Sequence, residues 1–148
     1  MDTGNESPML PHGMYQSRLD DRGRLKLPCA FQEYFAKLGD RRVFVTSLDR
    51  RTARIYPISA WAREDCLTNV DDPEIAERIA FNAADLGGET EIDAQGRIVV
   101  PAELRRALAI EKSTVRLYVF REHVRMLSEA EFEQRRKEAL ESSPQGNA

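Results

Sequence analysis

Short stretches in which apolar and polar residues alternate give way to helical spacing, and this change occurs twice in the same order along the chain. In the first occurrence, Leu25-Lys26-Leu27 alternates as a half-buried strand, and Phe31, Tyr34, Phe35 and Leu38 follow at the i, i+3, i+4, i+7 spacing of a one-faced helix. In the second, Ile98-Val99-Val100 is apolar throughout, which predicts a strand buried on both faces, and Leu104, Ala107 and Leu108 repeat the helical spacing. Pro28 and Pro101 stand where each helix begins, since a fixed φ suits a first helical turn, and Gly39 closes the first helix. Two further strands follow each helix. Val43–Thr46 and Ala53–Tyr56 flank a turn at Asp49-Arg50-Arg51, and Val115–Phe120 and Val124–Leu127 flank a turn around Glu122. Each copy then ends in a helix. Ser128 and Glu131 form a capping box with Leu127 and Phe132 as its staple, and Tyr56 and Trp61 keep the same separation around Pro57.

The periodicity reflects an internal repeat. Ser17–Pro28 and Thr90–Pro101 share the pattern φ-D-x-x-G-R-φ-x-φ-P, where φ is aliphatic, with Asp20 and Asp93 in register 73 residues apart. One unit therefore reads strand–turn–strand–helix–strand–strand–helix. Residues 71–86 stand outside the repeat: Pro73 opens a connecting helix, Ile75, Ile79 and Ala83 line its buried face, and Gly87-Gly88 end it. This predicts a leader at 1–12 without order, a first unit at 13–67, a connecting helix at 68–88, a second unit at 89–140 and a frayed tail at 141–148. A unit of about 60 residues makes a marginal core, so the two units are expected to share one or to oligomerise.

Asp at the start of a turn accepts backbone N–H bonds, and Gly three positions later supplies positive φ. Asp20, Gly23, Asp93 and Gly96 are therefore read as turn-forming residues, each turn joining two strands as a tight hairpin. The Arg after each Gly has two readings. It can pair back to the Asp four positions earlier, or it can present its guanidinium to phosphate or to guanine O6 and N7. Arg24 and Arg97 are taken as DNA-facing. Arg18, Arg22 and Lys26 join them on local charge, because Ser17–Lys26 carries four basic residues against two acidic ones, whereas Thr90–Arg106 is balanced. Arg41-Arg42 and Arg50-Arg51 are read as exposed loop charge, and Glu129–Glu141 as a solvated helix face. Trp61 and Phe132 are read as packing anchors.

The net charge of −3 gives no bulk attraction to nucleic acid, so any DNA surface must concentrate its cations locally. Cys29 and Cys66 lack metal-ligand spacing and are expected to be buried reduced thiols, as in a cytosolic protein. His12 and His123 have no motif around them, and there is no phosphate loop or nucleophile elbow. No enzyme, metal or cofactor is expected, and no membrane span or signal peptide is read.

With Asp20–Arg24, Asp93–Arg97 and Tyr56-Pro57…Trp61 in view, residues 13–137 resemble the MraZ family, whose hallmark is a duplicated AbrB-type unit with a D-x-x-x-R motif in each half. The resemblance implies an α+β, mostly β fold of duplicated AbrB-like swapped-hairpin units with short helices, in a double-psi-like β-barrel architecture assembled as a ring-shaped homo-oligomer. It implies a cytoplasmic, nucleoid-associated repressor that binds double-stranded DNA at short direct repeats upstream of the division and cell-wall gene cluster. It also implies DNA contact by Arg24 and Arg97. Family members commonly carry a basic residue, a possible phosphate contact, where this chain has Gln32 in the first copy and Arg105 in the second; Cys29 replaces a small residue, and the leader is longer. An AbrB-like antitoxin and a ring scaffold that inhibits a neighbouring enzyme by protein contact remain alternatives.

Overall fold

The structure is a computed structural model and describes residues 10–63 and 70–141. Residues 1–9, 64–69 and 142–148 lie outside the described residues, and with them Cys66, nearly all of the expected leader and tail, and the boundary between the first unit and the connecting helix.

The repeat becomes two runs of elements. The first contains β1 (Tyr15–Arg18), β2 (Arg24–Lys26), α1 (Cys29–Leu38), β3 (Arg42–Ser47), β4 (Ala53–Pro57) and α2 (Ile58–Ala62). After α3 (Pro73–Leu86), the second contains β5 (Gly88–Glu91), β6 (Arg97–Val99), α4 (Ala102–Leu108), β7 (Thr114–Phe120), β8 (His123–Ser128) and α5 (Glu129–Glu141). Local chemistry sets the helix ends. Pro28 and Pro101 occupy the N-cap positions of α1 and α4, both with φ −57°, and Gly39 ends α1 at φ 80°. The Asp72 carboxylate accepts from the Glu74 N–H at the start of α3, and Ser128 Oγ accepts from the Glu131 N–H (3.0 Å) above buried Leu127 and Phe132.

The fold is α+β with a β core. Six strands form an antiparallel sheet in the order β1-β7-β8-β4-β3-β5, and β2 and β6 form a separate two-stranded ribbon. The exchange between copies is reciprocal: β1 of the first copy pairs with β7 of the second, and β5 of the second pairs with β3 of the first. Leu25 pairs with Ile98 in the ribbon, and Arg54 with Arg125 between β4 and β8, so repeat-equivalent residues face one another on a pseudo-twofold axis. The sheet is open, because its edge strands β1 and β5 do not pair with each other; each turns instead into a strand of the ribbon.

This swap corrects the reading of Asp20–Gly23 as a tight two-stranded hairpin. The flanking strands share one backbone bridge, between Leu19 and Leu25, and a hydrogen bond from Ser17 Oγ to Lys26 O, and then diverge into different sheets. The backbone groups left over pair across the copies. The Leu19 N–H donates to Ser113 O (3.0 Å), Leu27 to Gly96 O (2.9 Å) and Val100 to Gly23 O (2.9 Å).

One core serves both copies, with Leu25, Leu27, Phe31, Phe35, Val45 and Ile55 packed with Ile98, Leu104, Ile110, Leu117, Val124 and Met126. Five burial expectations are overturned, the first at Leu38, which ends the one-faced helix α1 and is 36% exposed. Val99 is 49% exposed, because its neighbours Ile98 and Val100 point inward and strand alternation turns it out. Ile75 is 42% exposed: α3 reaches the sheet only through its C-terminal half, where Thr46 Oγ1 donates to Ala83 O (2.8 Å) and Asn82 Nδ2 to Leu48 O (2.8 Å). Ala107 is exposed because short α4 buries only Leu104 and Leu108. Cys29 is exposed as well, about half a turn from Phe31 at the start of α1. Nor are the arginine pairs simple loop charge. Arg42 pairs with Glu89, Arg50 bonds Asn82 and Asp85 and so ties the β3–β4 turn to α3, and Arg51 pairs with Glu131.

Candidate nucleic-acid interface

Each turn closes around its aspartate. In the first, Asp20 Oδ1 accepts the N–H groups of Arg22 and Arg24 (both 2.9 Å), and Oδ2 accepts Arg24 Nε (2.8 Å). In the second, Asp93 Oδ1 accepts Gln95 and Arg97 N–H (2.9 and 2.8 Å), and Oδ2 accepts Arg97 Nε (3.1 Å). The N–H of Arg24, then that of Arg22 and the Arg24 guanidinium, hold the Asp20 carboxyl down to about 2, and the Arg97 N–H and guanidinium hold Asp93 below the usual carboxylate range. Both carboxylates stay ionised at neutral pH and fix the arginine beside them.

Gly23 and Gly96 have φ of 76° and 78°, a region that other residues enter at a cost. A second reason for glycine comes from the opposite copy. A Cβ on Gly23 would overlap the Arg105 guanidinium, and one on Gly96 would overlap the Gln32 amide. These two side chains are repeat equivalents. Gln32 Nε2 donates to Leu27 O (2.7 Å) and Arg105 Nη1 to Val100 O (2.6 Å). Each helix thus rests on the turn of the other copy while bonding the strand end of its own. Arg105 also bonds Glu111 (2.9 Å), and its side chain is only 16% exposed. The structure therefore engages Arg105 inside the chain rather than presenting it to phosphate, and Gln32 performs the matching task without charge.

The ribbon gathers the candidate residues. Lys26 stands opposite Arg97, Arg24 opposite Val99, and Leu25 and Ile98 turn inward, so Arg24, Lys26, Arg97 and Val99 share the outer face. Lys26 Nζ donates to the carbonyl of Gln95, which joins the two turns. Arg24 and Arg97 keep about 28% and 29% of their side chains exposed. The geometry shows the pairing reading of these arginines: Nε of each is bound to its aspartate, which fixes the plane of the guanidinium. Arg97 Nη2 reaches Gln95 Oε1 (3.2 Å). Exposed Arg22 lies at the first turn. Arg18 does not join the ribbon face, because it sits on β1 opposite Thr114, in the six-stranded sheet. The parts played by Gln32, Arg105, Gln95 and Val99 were not read from the sequence; the signal for the first two was their equivalence in the repeat, 73 positions apart.

Among the described residues, no cluster of three or more His, Cys, Asp or Glu side chains is placed to hold a metal ion, and no helix is long and apolar enough to cross a membrane. His123 is buried against the Tyr56 ring (4.5 Å), and Trp61 stacks on Phe44 (4.6 Å).

Residues 87–146 match the family model described as "MraZ protein, putative antitoxin-like". A protein named transcriptional regulator MraZ from Acidobacterium capsulatum is 31% identical over 105 residues, which cover 70% of this chain and 72% of that protein. Proteins of the same name from Koribacter versatilis (34% over 102 residues, 67% and 69%) and Heliobacterium modesticaldum (38% over 108 residues, 70% and 71%) align over similar spans. On two-thirds or more of its own length and of theirs, this chain belongs to the MraZ family.

Proposed function

We propose that the protein is a transcriptional regulator that binds double-stranded DNA through the outer face of the β2–β6 ribbon. The observation that carries this reading is the register Lys26↔Arg97 and Arg24↔Val99, which sets cations from both copies side by side on one surface. A two-stranded ribbon fits the major groove, and a guanidinium already oriented by a carboxylate loses less freedom when it meets guanine or phosphate. The names of the relatives support the regulatory role. One ribbon is a weak patch: from Asp20 to Lys26 and from Asp93 to Arg97 there are four basic residues against three acidic ones. Several copies in a ring would repeat the patch along a duplex and raise avidity, which suits short direct repeats such as those upstream of the division and cell-wall gene cluster. On this reading the protein is a cytoplasmic, nucleoid-associated repressor that performs no catalysis.

Arg24→Ala and Arg97→Ala test it in gel-shift titration at fixed salt, with light scattering to follow assembly. Loss of about 1–3 kcal/mol per site at unchanged mass is expected. Unchanged affinity would refute the reading. The family description also supports an antitoxin reading; copurification of a small toxin would favour it, and binding that ignores DNA sequence would favour a protein-contact scaffold.

A further inference from the structure

We infer that the two turns meet a duplex unequally: the first anchors phosphates through Arg22 and Lys26, and the second reads a thymine methyl group through Val99, held between Arg24 and Arg97. This rests on the DNA-binding reading above and names the residues that give it specificity.

The repeat supplies the comparison. Position by position, Arg18 answers to Glu91, Arg22 to Gln95 and Lys26 to Val99, while Arg24 and Arg97 answer to each other. The shared arginines are each held by their own aspartate. What remains on the first turn is exposed Arg22 and Lys26, neither paired with a carboxylate among the described residues, with exposed Asp21 beside them. What remains on the second is uncharged. Phosphate contact requires only a reachable cation, and it carries no sequence information. The first turn has that equipment and the second lacks it.

Val99 is the unusual residue. A large aliphatic side chain that is 49% exposed on an otherwise basic ribbon face adds little to the core. It faces Arg24 across the ribbon and lies two residues beyond Arg97 on the same face of β6, so an arginine residue stands on two sides of it. Its β-branch leaves few rotamers, which keeps the methyl groups in place without a bound partner. In the major groove the apolar feature of a base edge is the C5-methyl of thymine, and guanine offers the acceptors that arginine requires. An aliphatic side chain flanked by two arginine residues is complementary to such an edge.

The test uses the full chain and a duplex selected by it from a random pool, resynthesised with deoxyuridine at each thymine in turn. The wild-type protein is expected to lose about fourfold in affinity at one position, the value of one methyl group taken from water. Val99→Ser should bind the thymine and uridine duplexes alike with an unchanged salt slope, and Val99→Thr, which keeps one methyl group, should restore the preference. Arg22→Gln should lower the log–log salt slope by about one and keep the preference. Indifference of the wild type to uridine at every thymine, a preference that survives in Val99→Ser, or an unchanged slope in Arg22→Gln would overturn the inference while leaving DNA binding in place. Failure to select any duplex would overturn the DNA-binding reading itself, and the inference with it.

Discussion

Replacing Gly23 by alanine tests whether the two copies are locked together by helix-on-turn packing. The residue has φ 76°, so alanine incurs a left-handed backbone penalty of about 1–2 kcal/mol. Its Cβ would also overlap the Arg105 guanidinium, which must swing away from Val100 O; a hydrogen bond from a charged donor contributes about 1.5–3 kcal/mol. Arginine is flexible and recovers part of this in water, so the expected destabilisation is about 2–4 kcal/mol. Arg105→Ala alone removes the same bond and should cost about 1–3 kcal/mol. The double variant carries the backbone penalty and the lost bond, but each only once. Its destabilisation should fall short of the sum of the single changes by at least about 1 kcal/mol. Urea unfolding followed by far-ultraviolet circular dichroism, at one fixed protein concentration, measures all four corners of the cycle. Additivity within about 0.5 kcal/mol would refute the packing. Gly96→Ala, which displaces the neutral Gln32 amide, should cost less than Gly23→Ala, because a neutral hydrogen bond contributes only about 1 kcal/mol.

Acid should loosen the turns. The Asp20 carboxyl is depressed from the ordinary 3.8 to about 2, so its stabilising contribution is complete above about pH 4 and disappears as pH falls toward 2; Asp20→Asn should flatten that limb of a urea-midpoint profile, and an unchanged limb would contradict the turn geometry. Neighbouring residues of β6 should respond oppositely, with Ile98→Ala costing about 2–4 kcal/mol and Val99→Ala less than about 0.5 kcal/mol in the same assay. Ser128→Ala should lower stability by about 1 kcal/mol through loss of its bond to the Glu131 N–H, and no change in melting temperature would remove that cap from the account.

Much of the local structure was legible in the sequence. Asp at the head of a turn, Gly at positive φ, Pro at a helix start and the Ser128 cap act within a few residues, so their consequences follow from their neighbours alone. The repeat told that whatever the first turn does, the second resembles. It could not tell with which partner each strand pairs. A hairpin closed within one copy and a hairpin exchanged between copies place the same residues inward, because strand alternation is identical in both. The backbone bonds of Leu27 to Gly96 and of Val100 to Gly23 decide between them, and they join residues about 70 positions apart. Val99 shows the same limit, since an unbroken aliphatic run reads as buried on both faces when only the pairing reveals that one face is open.

By itself, then, the chain's order of residues determined the duplicated element plan, the two aspartate-centred turns and the family pattern, all of which depend on short-range geometry. Tertiary structure alone decided that Arg24, Lys26 and Arg97 share one surface, that Arg105 faces inward and that one core belongs to both halves. Those outcomes require contacts between distant segments, and a one-dimensional pattern of polarity carries no term for which segments will meet.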